Sequence, residues 1–221
     1  MKDIRTLICK DIIPFWELYC TPLFCAVLPS ICSSHIVDKD VKIKVGKNLI
    51  GHLGGDSMIP VLDVARYIIN YSNEKEYSIS NLKLQKLLYF VQAYYLSFTS
   101  SHEPCFNEEI EAWDFGPVVP SVYHEFKAYG GSDIPPITSY YKLGSENNIW
   151  SIKKVPFSKE CIREEDQVII RSIVDKFALY SASALVALTH SQTPWKQAYT
   201  PHENAIITKD SIREYFDGNK G

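Results

Sequence analysis

The sequence predicts a mainly helical α+β fold, a compact helical domain with a small β element, preceded by a segment of different character. Three observations lead there. Apolar residues recur at helical spacing in several separate stretches after Met58. Capping residues and helix breakers stand at the ends of those stretches. The β-forming runs between them are short and bounded by Gly, Pro and Asn.

The elements follow in order. Pro60 suits a first helical turn, where its missing N–H costs nothing, and Val61, Val64, Ala65, Ile68 and Ile69 then share one face. Asp63 complements the positive helix start. Ser72–Ser78 is a polar break. Ser80 or Asn81 caps a second helix reaching about Phe98, with Leu84, Leu87, Leu88, Val91 and Tyr95 as its apolar stripe. A loop over Ser100–Glu108 leads to a short strand at Ile110–Trp113. Gly116 and Pro117 punctuate it. Pro120 and Ser121 open a third helix through Tyr129, stopped by Gly130 and Gly131. Asp133–Tyr141 is extended. Asn147-Asn148 marks a turn before a short strand at Ile149–Ile152. Ser158 caps a long acidic-headed helix with Ile169, Ile173, Phe177 and Tyr180 as its stripe. Ser181 or Ser183 starts another helix, Pro194-Trp195 a short one, and Thr208 caps the last, which ends at Gly218.

The chain has 221 residues, 46% hydrophobic and 22% charged, which suits one globular domain plus an extension and excludes wholesale disorder. A net charge of −3 provides no electrostatic drive toward nucleic acid. The two parts differ. Residues 1–57 hold four of the six cysteines and one of the fourteen tyrosines. They hold 7 Lys+Arg and 6 Asp+Glu, against 16 and 20 in residues 58–221. Pro14, Pro22 and Pro29 break the apolar stretch there, which denies it a membrane helix of about 20 uninterrupted residues. Asp3, Asp11 and Glu17 spoil a signal peptide. One synonymous coding of Leu53–Ser57, CTAGGAGGTGATAGT, contains a ribosome-binding site of bacterial type just before the Met58 codon. The expectation is that translation starts at Met58 and that residues 1–57 are upstream sequence or unstructured. A genuine N-terminal extension is the alternative.

Candidate chemistry is sparse. Asp114-Phe115-Gly116 matches the kinase magnesium motif in letters, but the glycine-rich phosphate loop and the His-Arg-Asp motif are missing. His102 and Cys105 have a ligand-like spacing without the second pair that zinc sites use. Glu108, Glu109 and Glu111 crowd beside Trp113 and Phe115. They read either as a solvated charge run or as a surface for a basic partner. Tyr89, Tyr94, Tyr95, Tyr123 and Tyr129 supply area for a core or an interface. No catalytic set, cofactor or metal site is expected.

Four blocks in order, LKLQKLLYFVQAYYL (82–96), FNEEIEAWDFGPVVPSVYHEFKAYG (106–130), ALVALTHSQTPWKQAY and ITKDSIREYF, together resemble the Panacea domain, the SocA-like, phage-associated family. The resemblance covers about Ile59 to Phe216. It implies a mainly helical fold with a small β element and a cytoplasmic, non-enzymatic antitoxin that neutralises a cognate toxin by direct binding. The alternatives it implies are a proteolytic adaptor delivering the toxin to the ClpXP protease, or a phage-encoded regulatory protein. An enzyme using Cys105 or the Glu108–Glu111 cluster is the contrasting reading. No membrane or nucleic-acid partner is expected. Gln85, Lys86, Trp113, Gly116, Pro117, Tyr123 and Trp195 match recurring family positions. Gln85 and Lys86 are expected to face away from the apolar stripe, to cap backbone groups or meet a partner. The candidate partner-binding residues are Glu109, Glu111, Trp113, Phe115 and Tyr123, on the Glu108–Pro117 segment and the Ser121–Tyr129 helix, together with Gln85 and Lys86 of the second helix.

Overall fold

Seven α-helices and five short strands occur among the described residues of the computed structural model, which are 58–146 and 149–218. The expectations for residues 1–57 and for the Asn147-Asn148 turn lie outside them. In chain order the elements are α1 (Val61–Glu74), α2 (Asn81–Phe98), β1 (Ile110–Trp113), β2 (Gly116–Val118) and α3 (Pro120–Phe126). There follow β3 (Ser139–Glu146), β4 (Ile149–Pro156), α4 (Glu164–Lys176), α5 (Ala182–His190), α6 (Thr193–Ala198), β5 (Ile206–Ile207) and α7 (Lys209–Gly218). The mainly helical class with a small β element is therefore observed.

Helix α2 is the axis of the domain. Its N-cap is Ser80, whose hydroxyl accepts from the Lys83 amide. It is packed by α1, α3, α4, α5, α7 and β2. Burial is therefore not confined to the expected stripe: Lys83, Gln85, Lys86, Tyr89 and Gln92 are buried as well. Fully burying an apolar side chain such as Leu84, Leu88 or Phe90 stabilises the fold by about 1.5–3 kcal/mol. Aromatic pairing adds to this, with the Phe90 and Phe177 rings stacked at 4.4 Å.

Two sheets form. One is three-stranded, in the order β2-β1-β5 and antiparallel, with Ala112 opposite Pro117 and Glu111 opposite both Val118 and Ile206. The other is the ribbon β3–β4, with Leu143 opposite Ile152. Its base is held by Asn70 of α1, whose side-chain amide donates to Ile137 O at 2.9 Å and accepts from Ile137 N at 2.6 Å.

Several boundaries differ from the sequence reading. Helix α1 continues through the expected polar break to Glu74, because Ser72 is buried against the domain. The third helix is α-helical only to Phe126 and finishes as a 3₁₀ turn at Lys127–Tyr129, with Gly130 at φ +55°. The expected short strand at 149–152 is twice as long and pairs with β3, which begins in the last three residues of the segment read as merely extended, Ser139–Tyr141. Ser158 does not cap the acidic helix. A 3₁₀ turn, Lys159–Cys161, intervenes and α4 starts at Glu164. The cause is Ile162, buried in the core, with Gln167 Nε2 reaching back to the carbonyls of Lys159 and Ile162. The buried stripe of α4 accordingly contains Ile170, Ile173 and Val174 rather than Ile169. Ser181 and Thr208 do cap, through the Ala184 and Ser211 amides. No described helix is long and apolar enough to cross a membrane.

Candidate functional site

The tight turn Asp114-Phe115 joins β1 to β2, so the kinase-like tripeptide is here a hairpin connection. Gly116 takes φ +94°, in the left-handed region that favours glycine. A Cβ there would lie 2.8 Å from Thr189 Oγ1 and 3.0 Å from Lys86 Cε and Nζ. The glycine thus permits both the turn and the close approach of α2 and α5.

Beneath the turn, Lys86 is fully buried and donates from Nζ to Pro117 O at 2.9 Å. Burial lowers its pKa to about 7. Gln85 is also buried. Its Oε1 accepts from the Val119 amide at 2.9 Å, and its Nε2 donates to Asn81 Oδ1 at 2.9 Å. Asn81 in turn donates to Tyr123 O. About two turns after Gln85, Gln92 accepts from the amides of Cys105 and Phe106 and donates to Phe106 O. The polar residues of α2 therefore satisfy backbone groups of distant segments that would otherwise be buried unpaired. Of the two roles expected for Gln85 and Lys86, the geometry provides backbone capping. Lys86 presents nothing to solvent, and Gln85 borders the cleft described next while 1% exposed.

Above this frame lies a cleft of about 460 Å³, bordered by Leu82, Trp113, Phe115, Val118, Tyr123 and His202. The Trp113 and Tyr123 rings meet edge-on at 4.9 Å. Phe115 lines this cleft and is 66% exposed, so the cleft carries an open aromatic ring. The structure therefore brings Trp113, Phe115 and Tyr123 together, from the hairpin and from α3.

Asp114 lines the cleft, and the carboxylates of the hairpin and of the segment before it are each engaged separately. Glu111 accepts from Trp113 Nε1 at 2.7 Å, fixing the indole. Glu109 lies 3.6 Å from Lys209 Nζ and remains over half exposed. Glu108 accepts from the Val61 amide at the start of α1. Asp114 accepts from Tyr199 Oη at 2.8 Å, a hydrogen bond that raises the tyrosine pKa.

Behind the hairpin runs a stack of rings. His190 lies flat on Trp195 at 3.8 Å, and Trp195 on Tyr199 at 4.4 Å. Trp195 Nε1 donates to Trp113 O. Desolvation and the nearby Lys86 lower the His190 pKa.

Cys105 is buried, and desolvation pushes its thiol well above the ordinary range. That opposes the thiolate a nucleophile needs. His102 Nδ1 contacts Leu96 O at 3.0 Å. Tyr89 and Tyr95 are core residues whose hydroxyls donate to Gln192 and Asp166. Sequence reasoning missed Leu82, His202 and Asn204 as cleft residues. The last two arrive on a loop with positive φ at both positions, carried by the pairing of β1 with β5.

The family model described as "Antitoxin SocA-like, Panacea domain" matches residues 84–196, just over half of the chain. The chain belongs to this Panacea family. The match takes in α2, the β1–β2 hairpin, α3, the ribbon, α4, α5 and the Trp195 turn. The Panacea chain is also similar to Antitoxin SocA of Caulobacter vibrioides (strain NA1000 / CB15N), at 34% identity over 133 residues. That alignment covers 60% of this chain and 66% of the relative, so the chain spans slightly under two thirds of the relative's length. No solved structure matches the Panacea chain.

Proposed function

We propose that this protein is an antitoxin, acting in the cytoplasm by direct, non-covalent binding of a cognate toxin, with the Trp113–Phe115–Tyr123 cleft as part of the contact surface. The observation that carries the reading is the exposed Phe115 on a hairpin locked from beneath by Lys86 and Gln85. A rigid, pre-formed aromatic anchor is what a tight protein interface uses, since little order has to be gained on binding. Family membership and the likeness to a protein named an antitoxin support it. Asp114 on the cleft, with Glu111 bonded to the Trp113 indole and the exposed Glu109 just before β1, suits a partner with basic residues at its rim. Binding rather than catalysis is also in keeping with carboxylates that are each taken up separately.

The test is growth of cells expressing the neighbouring gene alone and together with this protein. Arrest by the neighbour and recovery on co-expression are expected. Phe115→Asp should abolish the recovery while leaving the melting temperature unchanged. A harmless neighbour, or persistent arrest, overturns the reading. Toxin that disappears only in cells containing ClpXP would instead assign delivery to that protease.

A further inference from the structure

The ribbon β3–β4 presents an apolar face to solvent. Residues directly paired across an antiparallel ladder project from the same face. Tyr141 pairs with Lys154 and Leu143 with Ile152. Tyr141, Leu143 and Ile152 are 72%, 61% and 72% exposed. The opposite face is anchored: Tyr140 lies under the Arg66 guanidinium at 3.7 Å. The ribbon is therefore held in place, and its apolar side points away from the domain.

Two further features accompany this face. Among the described residues, β3 and β4 pair only with each other, so both outer edges carry backbone N–H and C=O groups open to a third strand. The ribbon is also basic. The two strands hold Lys142, Lys153 and Lys154 and one acidic residue, Glu146, whereas residues 58–221 as a whole hold 16 basic and 20 acidic residues; Lys154 shares the apolar face, and Lys142 and Lys153 pair on the other one.

We propose that the ribbon is a second docking surface, which takes an extended segment of the toxin carrying acidic and apolar side chains, added as a strand to β3 or β4. The inference rests on the antitoxin reading for the identity of the partner, and adds a site that shares no residue with the cleft. The edges provide main-chain hydrogen bonds, the apolar trio receives alternate side chains, and the lysines select acidic ones. Two other occupants fit less well. A bilayer cannot satisfy the open edge groups. A second copy would bring six lysines together against two glutamates, which repel.

The test uses the full chain, with the neighbouring-gene product as the probe. Leu143→Asp combined with Ile152→Asp should weaken binding at least tenfold without shifting the melting temperature, because both side chains are exposed. Lys153→Glu combined with Lys154→Glu should weaken it similarly and flatten its salt dependence. In the unmutated complex, amides of β3 or β4 should gain protection from hydrogen exchange. If the probe binds, and Phe115→Asp weakens it, but the ribbon variants bind within twofold and the ribbon amides stay unprotected, the ribbon proposal fails and the antitoxin reading stands. If the unmutated protein neither binds nor rescues growth, both fail. Ribbon-dependent binding to vesicles of phosphatidylglycerol, or ribbon-dependent dimerisation, with toxin binding unchanged, also overturns the proposal.

Discussion

Lys86 Nζ lies 2.9 Å from the carbonyl oxygen of Pro117, and both residues are buried. A lysine in that position holds the hairpin above it but loses hydration. An ordinary lysine keeps its proton to about 10.5, whereas burial lowers Lys86 to about 7. Between these values the unfolded chain binds a proton that the folded chain has released, so stability rises with pH through that window. Below about 7 both states hold the proton and the penalty is constant. Lys86→Met removes the group and its titration. The unfolding free energy of the unmutated protein minus that of Lys86→Met should climb from pH 7 to pH 10, on the order of 1 kcal/mol per pH unit. Urea titrations at several pH values measure it. A flat difference would mean that the ammonium is solvated.

The same contact predicts the response to Gly116→Ala. The new methyl would need φ near +94° and would press on Thr189 Oγ1 and Lys86. Strain of this kind costs about 1–3 kcal/mol, before any displacement of its neighbours. For a chain of this size each kcal/mol lowers the melting temperature by about 2–4 °C. Calorimetry should show a clear loss. An unchanged melting temperature would show that the turn relaxes away from α2 and α5.

Cys105 decides between binding and thiol chemistry. Its thiol is buried and its pKa raised, chiefly by desolvation, while Cys161 is exposed. An alkylating reagent at pH 8 should modify Cys161 in the folded protein and Cys105 only after denaturation, as mapped by peptide mass spectrometry. Cys105→Ala should neutralise the toxin as fully as the unmutated chain. Loss of neutralisation in a variant that stays folded would restore the enzyme reading.

The helical class, the caps at Ser80, Ser181 and Thr208, and the clustering of Trp113, Phe115 and Tyr123 were legible because each has a local cause: a capping hydroxyl, an apolar period, or proximity along the chain. The burial of Gln85 and Lys86, and the role of Gln92, were not. Facing away from the apolar stripe left capping and partner contact equally open for Gln85 and Lys86, and only the pairing of these side chains with Val119, Pro117, Cys105 and Phe106 makes burial tolerable. Those partners lie 13 to 34 residues away. The contribution of His202 and Asn204 to the cleft depends on β5, two residues long and too short to show a period. The start of α4 was misplaced because Ser158 is a good cap by type, yet Ile162 has to enter the core first.

Residues 58–221 are expected to fold and act without the 57 that precede them in this sequence. Among the described residues the buried apolar core runs from Val61 to Phe216. Protein comprising residues 58–221 should melt at the temperature of the full chain and rescue growth equally. Intact-mass analysis of protein made from its own gene should find a chain beginning at Met58. A mass that includes residues 1–57, or a truncated chain that fails to fold, would show that the segment belongs to the working protein.

Charge reversal on β1 and just before it separates a steering role from a structural one. Glu109 is exposed beside Lys209, whereas Glu111 fixes the Trp113 indole. Glu109→Lys should leave stability nearly unchanged, because an exposed ion pair contributes about 0–1 kcal/mol. It should slow association with a basic toxin several-fold, and the slowing should fade at high salt, where screening removes the steering field. Glu111→Lys should instead release the indole and raise the dissociation rate, with little dependence on salt. Stopped-flow association and dissociation at low and high ionic strength measure both. Equal rates for the two variants and the unmutated chain would move the toxin contact away from this cleft.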